Sequence, residues 1–301
     1  MRGAVCSVAM RRAFGGAAAV ILSGALVTGC ATGPQADIQV PAQSESSPRA
    51  AEPKVSGMSL STGSLQGGET LTLAGTDLAG VTRVMFGEVE APIVAAAPSL
   101  LTVTAPRAAE YQSVAAPVTV FAGDSAVPAD AELVYTWAAS TPVDRQLEYA
   151  FRHWHTDSYN LAEYGTFNPQ GGDCMNFVSQ TLIARGLPMT EGWKFAKGGG
   201  HTQTWTFVPS FDAYLASHPE LGFTRLTLEQ RDQVAVGDIV VLDWNANYNP
   251  DHIQIVSAVE KTDAGTKILM VGHNLDSNWR DLDEAITVDH PGGLAWFWKV
   301  P

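Results

Sequence analysis

Cysteine is scarce in this chain: among 301 residues there are three, Cys6, Cys30 and Cys174. The three lie far apart and form no CxxC pair, which excludes a disulfide framework and a cysteine-based zinc site. Clusters of lysine and arginine are also missing, and the formal net charge is -13. Because binding to a nucleic-acid backbone depends on such clusters, we expect no nucleic-acid partner.

Long hydrophobic runs and several common catalytic motifs are absent as well. After residue 29, no segment reaches the roughly 18 consecutive apolar residues that indicate a transmembrane helix. The HExxH, GxSxG, P-loop and EF-hand patterns do not occur, so no motif for a metal or a nucleotide is present. We therefore predict neither a metal site nor another cofactor.

The first thirty residues have the pattern of a bacterial lipoprotein signal. Three arginines precede an apolar run of about 14 residues, Phe14 to Val27, which is too short to span a membrane as a helix. The run ends in Leu26-Val27-Thr28-Gly29-Cys30, which resembles a lipobox. An ordinary signal peptide followed by a chance cysteine is the alternative. We predict a signal peptide at 1–29 and an extracytoplasmic protein anchored to the cell membrane through lipid on Cys30.

Two segments follow the predicted signal peptide: a tether and then a series of short strands. Residues 30–54 are rich in Pro, Ser, Ala, Gln and Glu, a composition typical of a disordered segment. From residue 55, apolar and polar residues alternate in short segments between turn residues, which predicts the half-buried strands of a β-sandwich. The segments are Thr70–Leu73, Val84–Phe86, Leu101–Thr104, Val118–Phe121 and Leu133–Tyr135. We assign this all-β domain to residues 55–138.

The stretch from Gly67 to Leu78, followed by Val84-Met85-Phe86-Gly87, resembles the immunoglobulin-like TIG/IPT domain. The resemblance implies an immunoglobulin-like sandwich that serves as a spacer or a binding module. No cluster of reactive side chains occurs in it. We interpret this domain as a rigid spacer, with specific ligand binding as the alternative.

Residues 139–301 combine helix signals with later strand signals. Thr141 and Pro142 begin one predicted helix, a second runs from Asp173 to Arg185 before Gly186, and a third covers residues 205–217. Helices followed by an antiparallel meander predict an α+β fold. The predicted strands are Asp238–Trp244, His252–Val259, Lys267–His273 and Leu294–Val300.

Cys174 lies in the first turn of the second helix, directly after a Gly-Gly-Asp turn. The helix dipole and the free N–H groups of that turn favour a thiolate, and the same groups could hold an oxyanion. With an imidazolium also beside the thiol, we expect a large thiolate fraction to persist well below pH 7. Lone cysteines are usually small buried hydrophobes, so position alone leaves a structural role open.

The segment Gly171-Gly172-Asp173-Cys174-Met175-Asn176-Phe177-Val178-Ser179-Gln180 closely resembles the signature of the putative amidase domain family. That family belongs to the papain-like cysteine hydrolases, alongside the NlpC-type cell-wall peptidases. The resemblance spans roughly residues 143–298, and Met175 departs from the threonine that is usual there. It implies a papain-like α+β domain in which a cysteine-bearing helix packs against a histidine-bearing sheet.

The same resemblance implies roles for two of the seven histidines. His252, in Asp251-His252-Ile253-Gln254-Ile255-Val256, is the predicted general base for Cys174. His273 is predicted to orient the imidazole of His252, with Asn274 as the second choice. A hydrogen-bonded histidine at the end of a strand is the alternative for His273, and His201 is the next candidate for the base.

Several aromatic residues are predicted to contact a substrate, with core packing as the alternative for any one tryptophan. The predicted substrate-binding residues are Tyr164, Asp173, Trp193, Trp205 and Trp244, although Asp173 also suits a helix N-cap. We expect a thiol-dependent amidase or peptidase whose substrate is an extracytoplasmic amide, foremost a cell-wall peptide. The alternatives are a non-catalytic surface binding lipoprotein with the hydrolase fold and an acyl transferase that uses the same site.

Overall fold

In the computed structural model, which describes residues 52–301, the chain begins with ten short strands. The predicted signal peptide, Cys30 and most of the predicted tether lie outside the described residues. The strands are Lys54–Met58 (β1), Thr62–Ser64 (β2), Thr70–Thr76 (β3), Arg83–Phe86 (β4), Val89–Ala91 (β5), Ile93–Ala97 (β6), Leu100–Thr104 (β7), Val114–Ala122 (β8), Ser125–Ala126 (β9) and Val134–Ala138 (β10).

These strands form two sheets of a β-sandwich. One sheet has the order β1-β3-β7-β6, and the other has the order β2-β10-β8-β4-β5 with β9 beside β8. In β3, Leu71 and Leu73 are buried while Thr70 and Ala74 are exposed, as a half-buried strand requires. The five predicted strand segments lie within or overlap observed strands, so the all-β fold of this domain is confirmed.

The second domain contains the six α-helical segments of the described chain, several of them single turns. They are Pro142–His153 (α1), Leu161–Tyr164 (α2), Cys174–Arg185 (α3), Gln203–Thr206 (α4), Val208–Ser217 (α5) and Leu282–Glu284 (α6), the last continuing into a π-helical turn at Ala285–Asp289. The predicted third helix is divided at Phe207 into α4 and α5. Within residues 52–301, no helix combines the length and the apolar character needed to cross a membrane.

The signals that begin and end the two longest helices are those expected from the sequence. The Thr141 hydroxyl accepts a hydrogen bond from the Asp144 N–H, and the Asp144 carboxylate accepts one from the Thr141 N–H, at 3.0 and 2.9 Å. This capping box satisfies two N–H groups at the start of α1. Gly186 ends α3 with a φ of 108°, a backbone conformation that favours glycine. The predicted helices at residues 142 and 173 are therefore confirmed.

One antiparallel sheet of six strands completes the second domain. Its strands are Thr224–Leu226 (β11), Ile239–Asp243 (β12), His252–Thr262 (β13), Gly265–Gly272 (β14), Ser277–Asp281 (β15) and Leu294–Lys299 (β16). The order is β11-β16-β12-β13-β14-β15. The α+β class is thus confirmed, but β16 does not continue the meander. After β15 the chain crosses the sheet, and β16 pairs with β12 instead of β15.

Both faces of this sheet are buried, and they face different helices. Ile253 and Ile255 of β13 belong to the hydrophobic cluster that contains Phe177 of α3, and α3 packs against β13. Leu242 and Val256 belong to the second cluster, together with residues of α6. We call the first the α3 face and the second the α6 face. Alternate residues of β13 point to opposite faces.

Side chains of the sandwich reach into the second domain, and both lie in one compact unit. The buried Asp144 carboxylate accepts hydrogen bonds from the Ser64 hydroxyl at 2.7 Å and from the Gln66 amide at 3.5 Å. The Tyr111 hydroxyl donates to the carbonyl of Ser257 in β13 at 2.7 Å. Its ring packs on Phe151 of α1. The sandwich therefore also supports the second domain, a role that the interpretation as a spacer did not include.

Tyr111→Phe is expected to lower the free energy of unfolding by about 1 kcal/mol. The substitution keeps the ring in its buried position and removes the hydroxyl that bonds to the carbonyl of Ser257 in β13. Urea unfolding measures the difference. Tyr248→Phe is the matched control, because the Tyr248 side chain is 84% exposed. Equal effects of the two substitutions would show that the bond to Ser257 contributes nothing.

Candidate active site

Cys174 is the first residue of α3, and its side chain is 8% exposed. The helix begins after Gly171 and Gly172, whose φ angles are 117° and 148°. A Cβ atom on Gly172 would lie 3.3 Å from the Oδ1 atom of Asn274. The Gly-Gly turn thus lets the chain pass close to the end of β14 and places Cys174 against the sheet.

The environment of the thiol differs from the one expected from the helix N-terminus alone. Burial raises the pKa of the Cys174 thiol to about 11, and the backbone N–H groups of Ile253 and Met175 act in the opposite direction with smaller effects. Desolvation disfavours the charged thiolate more than these N–H groups favour it. The expected thiolate below pH 7 is therefore corrected: in this conformation Cys174 is a neutral thiol at neutral pH.

Asp173 occupies the N-cap position of α3, but its side chain forms no capping hydrogen bond. Its Oδ1 atom accepts from the N–H of Phe167 at 2.7 Å and from the Asn176 amide at 3.0 Å. Its Oδ2 atom lies 2.7 Å from the Nδ1 atom of His273. Asp173 is fully buried, so it is placed to orient His273 rather than to contact a substrate from the surface.

His273 follows β14 and lies beside the start of α3. Its Nδ1 atom faces Asp173, and its Nε2 atom lies 2.7 Å from the carbonyl oxygen of His153. Both partners are acceptors, so the two bonds form together only when both ring nitrogens carry a proton. The ring stacks on Tyr159 and on Phe177, with centroid distances of 3.5 and 4.1 Å.

Asn274 connects the same two elements. Its Oδ1 atom accepts from the N–H of Asp173 at 2.5 Å, and its amide donates to the Oδ1 atom of Asn168 at 2.6 Å. Its φ is 58°, a left-handed conformation that asparagine tolerates well. The structure therefore brings Cys174, Asp173, His273 and Asn274 to one place, although the sequence separates them by about a hundred residues.

Among the described residues, His252 has no hydrogen bond or ring contact to this group. It pairs with Leu242 across the sheet, so its side chain points to the α6 face. Its ring stacks on Trp244 at 5.5 Å, and its buried Nε2 atom has no hydrogen-bond partner among the described residues. Burial, aided by the charges of Arg280 and His290, lowers the pKa of His252 to about 3. Its role as the base for Cys174 stays a prediction from sequence without a contact to support it.

The tryptophans predicted to contact a substrate are buried. The Trp193 indole donates to the hydroxyl of Ser179 at 3.0 Å, and the Trp205 indole donates to the amide oxygen of Asn176 at 2.8 Å. Their rings stack on each other at 5.2 Å. These contacts are those of core residues, so Trp193 and Trp205 fit the alternative of core packing.

The other two predicted aromatic contacts lie on different sides of the sheet. Tyr164 is half-buried and stacks on Trp205 at 5.9 Å. Trp244 lies on the α6 face between His252 and His290. Tyr164 therefore lies on the α3 side, and Trp244 lies across the sheet from it.

Tyr159 is a neighbour of the site to which the sequence reasoning gave no role. Its ring covers His273, and its hydroxyl donates to Asp276 at 2.6 Å. The pair Tyr159-Asn160 lies within the stretch that resembles the amidase family, and this is the signal that could have identified Tyr159. His201, the next candidate for the base, packs against the ring of Phe167 at 4.7 Å. Within residues 52–301, no group of three or more His, Cys, Asp or Glu residues could hold a metal ion.

Alkylation by iodoacetamide is expected to be slow at neutral pH and to accelerate as the pH rises above 9, because the raised pKa keeps Cys174 protonated. A variant that begins after Cys30 has Cys174 as its sole cysteine. The same variant unfolded in guanidinium is the control, and it should react faster at every pH below 9. A rate that reaches its plateau below pH 7 would contradict this expectation.

Comparison with known families identifies the second domain. Residues 142–293, half of the chain, match the family described as "Putative amidase domain". The chain belongs to this family. The match includes the whole of α3 and the end of β14, and therefore the group around Cys174. Residues 53–135 match the IPT/TIG domain, which agrees with the observed sandwich.

Relatives of this amidase-family protein include one curated sequence. It is 27% identical over 140 residues to "Uncharacterized protein YhbB" of Bacillus subtilis (strain 168). The alignment covers 44% of this chain and 42% of the relative, so the chain spans less than half of that protein's length.

Similar solved structures include the extracellular region of plexin A4 and a putative phosphatase from Bacteroides thetaiotaomicron. The plexin is 23% identical, with 29% of this chain and 9% of that chain covered and a TM-score of 0.26. The phosphatase is 21% identical, with 28% and 18% covered and a TM-score of 0.21. At these TM-scores the likeness carries no argument about function.

Proposed function

We propose that this protein is an envelope-anchored, thiol-dependent amidase in which Cys174 is the nucleophile. One observation carries the proposal: Cys174 begins a helix within the family match, with the N–H groups of Ile253 and Met175 at its sulfur. N–H groups at a helix start can hold the negative oxygen of a tetrahedral intermediate.

The proposed reaction has two steps. The Cys174 sulfur attacks the amide carbonyl and passes its proton to a base, so that an S–C bond forms and the carbonyl oxygen becomes negative. The C–N bond then breaks, and the amine leaves with the proton from the base. Water attacks the resulting thioester and releases the acid. Because the thiol is neutral at neutral pH, proton removal has to accompany the attack.

For the base, the sequence motif and the contacts favour different histidines. The motif favours His252, whereas the contacts favour His273, which lies next to α3 with its Nδ1 atom held by Asp173. A carboxylate that orients one ring nitrogen while the other exchanges a proton is the arrangement of catalytic triads. We propose His273 as the base. Its Nε2 atom must then be unprotonated, and it must give up the bond to the carbonyl of His153, the last residue of α1.

The proposed substrate is a peptide amide of the cell wall. This choice rests on the lipoprotein signal predicted at residues 1–29 and on the resemblance to cell-wall peptidases, not on the geometry of the site. A lipid on Cys30 would keep the two domains at the membrane surface, where such amides occur.

The test is an assay of the purified protein on cell-wall fragments, with the products identified by mass spectrometry. Hydrolysis predicts product pairs whose combined mass exceeds that of the substrate by one water. Added amines separate hydrolysis from acyl transfer, because a transferase would join the acyl fragment to the added amine. The absence of any new product from a broad mixture of fragments would reject the proposal.

A non-catalytic surface binding protein is the second candidate. The observation in its favour is that no histidine among residues 52–301 is hydrogen-bonded to the Cys174 sulfur. In that case the same assay would give no product, while wild-type protein and a Cys174→Ser variant would bind the fragments equally well.

A further inference from the structure

A groove of about 690 Å³ lies on the surface of the second domain, away from the residues around His273. Its polar and aromatic lining consists of Asp212, Arg225, Thr227, Glu229, Tyr248 and Trp296. We call it the Tyr248 groove. Arg225, Glu229 and Tyr248 are exposed at its rim, and the large side chain of Trp296 forms part of its floor.

The floor of the Tyr248 groove is held in place by hydrogen bonds and stacking. The Oδ1 atom of Asp212 accepts from the indoles of Trp296 and Trp298, both at 2.7 Å. The Arg225 guanidinium lies over the same two rings, at 4.8 and 6.0 Å from their centroids. Arg225 forms no ion pair with any described residue. Its N–H groups are therefore available as donors, beside carboxylate oxygens that can accept.

Tyr248 is presented to the groove by a strained loop. Ala246 and Tyr248 have φ angles of 55° and 65°, which are unfavourable for residues with a Cβ atom. The fully buried Asp243 holds the loop, because its carboxylate accepts from the N–H groups of Asn247 and Tyr248 at 3.3 and 2.6 Å. Strain of this kind persists only where the surroundings impose it, and it occurs preferentially at ligand sites. The result is a tyrosine that is 84% exposed.

The Tyr248 groove lies on the same face of the sheet as Cys174. Trp296 pairs with Val241, and Val241 pairs with Ile253. The three residues form one row across β16, β12 and β13. Its two ends, Trp296 and Ile253, are two strand spacings apart, which is about 10 Å. The backbone of Ile253 contacts the Cys174 thiol, but Val241 and Ile253 are fully buried, so packed core separates the groove from the thiol.

We infer that the Tyr248 groove binds a sugar chain. Sugars offer flat C–H faces that pack on exposed aromatic rings, and rims of hydroxyls that both donate and accept hydrogen bonds. The Tyr248 ring can pack on the C–H face of a sugar. The hydroxyls can bond to Arg225 and to the carboxylates of Asp212 and Glu229. A simple anion would be repelled by Asp212 and Glu229, and a simple cation by Arg225. Where it concerns the substrate, the inference rests on the proposed function. It makes the substrate a cell-wall peptide that is still attached to its glycan.

The test is binding of peptide-free cell-wall glycan strands to the purified protein, measured by isothermal titration calorimetry. All variants carry Cys174→Ser, so that no turnover can occur. Tyr248→Gly is expected to weaken binding about five- to ten-fold by removing the ring. Tyr248→Phe keeps the ring and should stay within about two-fold of the parent.

Folding is measured on the same samples. Glycine accepts the left-handed backbone at position 248, so Tyr248→Gly should be at least as stable as the parent in urea. Weaker binding in an equally stable variant assigns the ring to the ligand. Binding of wall peptides without sugar instead of glycan, or equal glycan binding by Tyr248→Gly, would overturn the inference. The two proposals fail separately: amide hydrolysis without glycan binding rejects only the groove, and glycan binding without hydrolysis rejects only the enzyme.

Discussion

Cys174→Ala is expected to lower amide hydrolysis by at least about 10⁴-fold without unfolding the protein. The variant lacks the sulfur atom that bonds to the acyl group, so the acyl intermediate cannot form. The loss of one buried sulfur should cost only about 1 kcal/mol of stability. The rate of product formation in the cell-wall assay measures the effect on activity, and urea unfolding measures the effect on stability.

Cys174→Ser is the matched variant, because it keeps a polar atom at nearly the same position. Serine is a much weaker nucleophile without a strong base, so this variant should also be inactive. Activity within ten-fold of the wild type in either folded variant would remove Cys174 from the mechanism. The family match would then stand without the thiol chemistry proposed for it.

His273→Gln is expected to lower turnover by about 10²- to 10⁴-fold, the usual contribution of a general base. His252→Gln should change turnover only a few-fold, because the His252 ring lies across the sheet from the thiol. Turnover numbers and Michaelis constants for both variants measure the difference. A loss of activity confined to His252→Gln would return the role of base to His252.

The His273 test needs a second variant, because His273→Gln leaves the buried Asp173 carboxylate without its partner. Such an unpaired charge costs about 3–5 kcal/mol and could unfold the protein. The double variant Asp173→Asn/His273→Gln removes the carboxylate together with the imidazole and keeps the side-chain volumes close to the original. If the double variant folds and hydrolyses amides at the wild-type rate, His273 has only a structural role.

The starts and ends of helices could be predicted from the sequence because their causes are local. Thr141 and Asp144 are three residues apart and form the observed capping box, and Pro142 is the first residue of the helix. Gly186 follows α3 directly and adopts the left-handed conformation that ends it. The alternating strands of the sandwich were predictable for the same reason, since each pattern lies within one short segment.

The position of β16 could not be predicted in this way. Its apolar run indicates a strand, but a strand can pair with either edge of a growing sheet. In the structure Trp298 pairs with Ile239 and Phe297 pairs with Val240 of β12, and β11 covers the outer edge of β16. The crossing of the chain over the sheet therefore depends on packing between distant segments.

The sequence by itself determined the position of Cys174 at a helix start, and it determined that His252 and Ile253 point to opposite sides of one strand. Both follow from the local geometry of helices and strands. Only the tertiary structure decided which side faces α3, because that depends on how the sheet and the helices bury their apolar residues. The same burial raises the pKa of the thiol to about 11, since the loss of water at Cys174 outweighs the N–H groups around it.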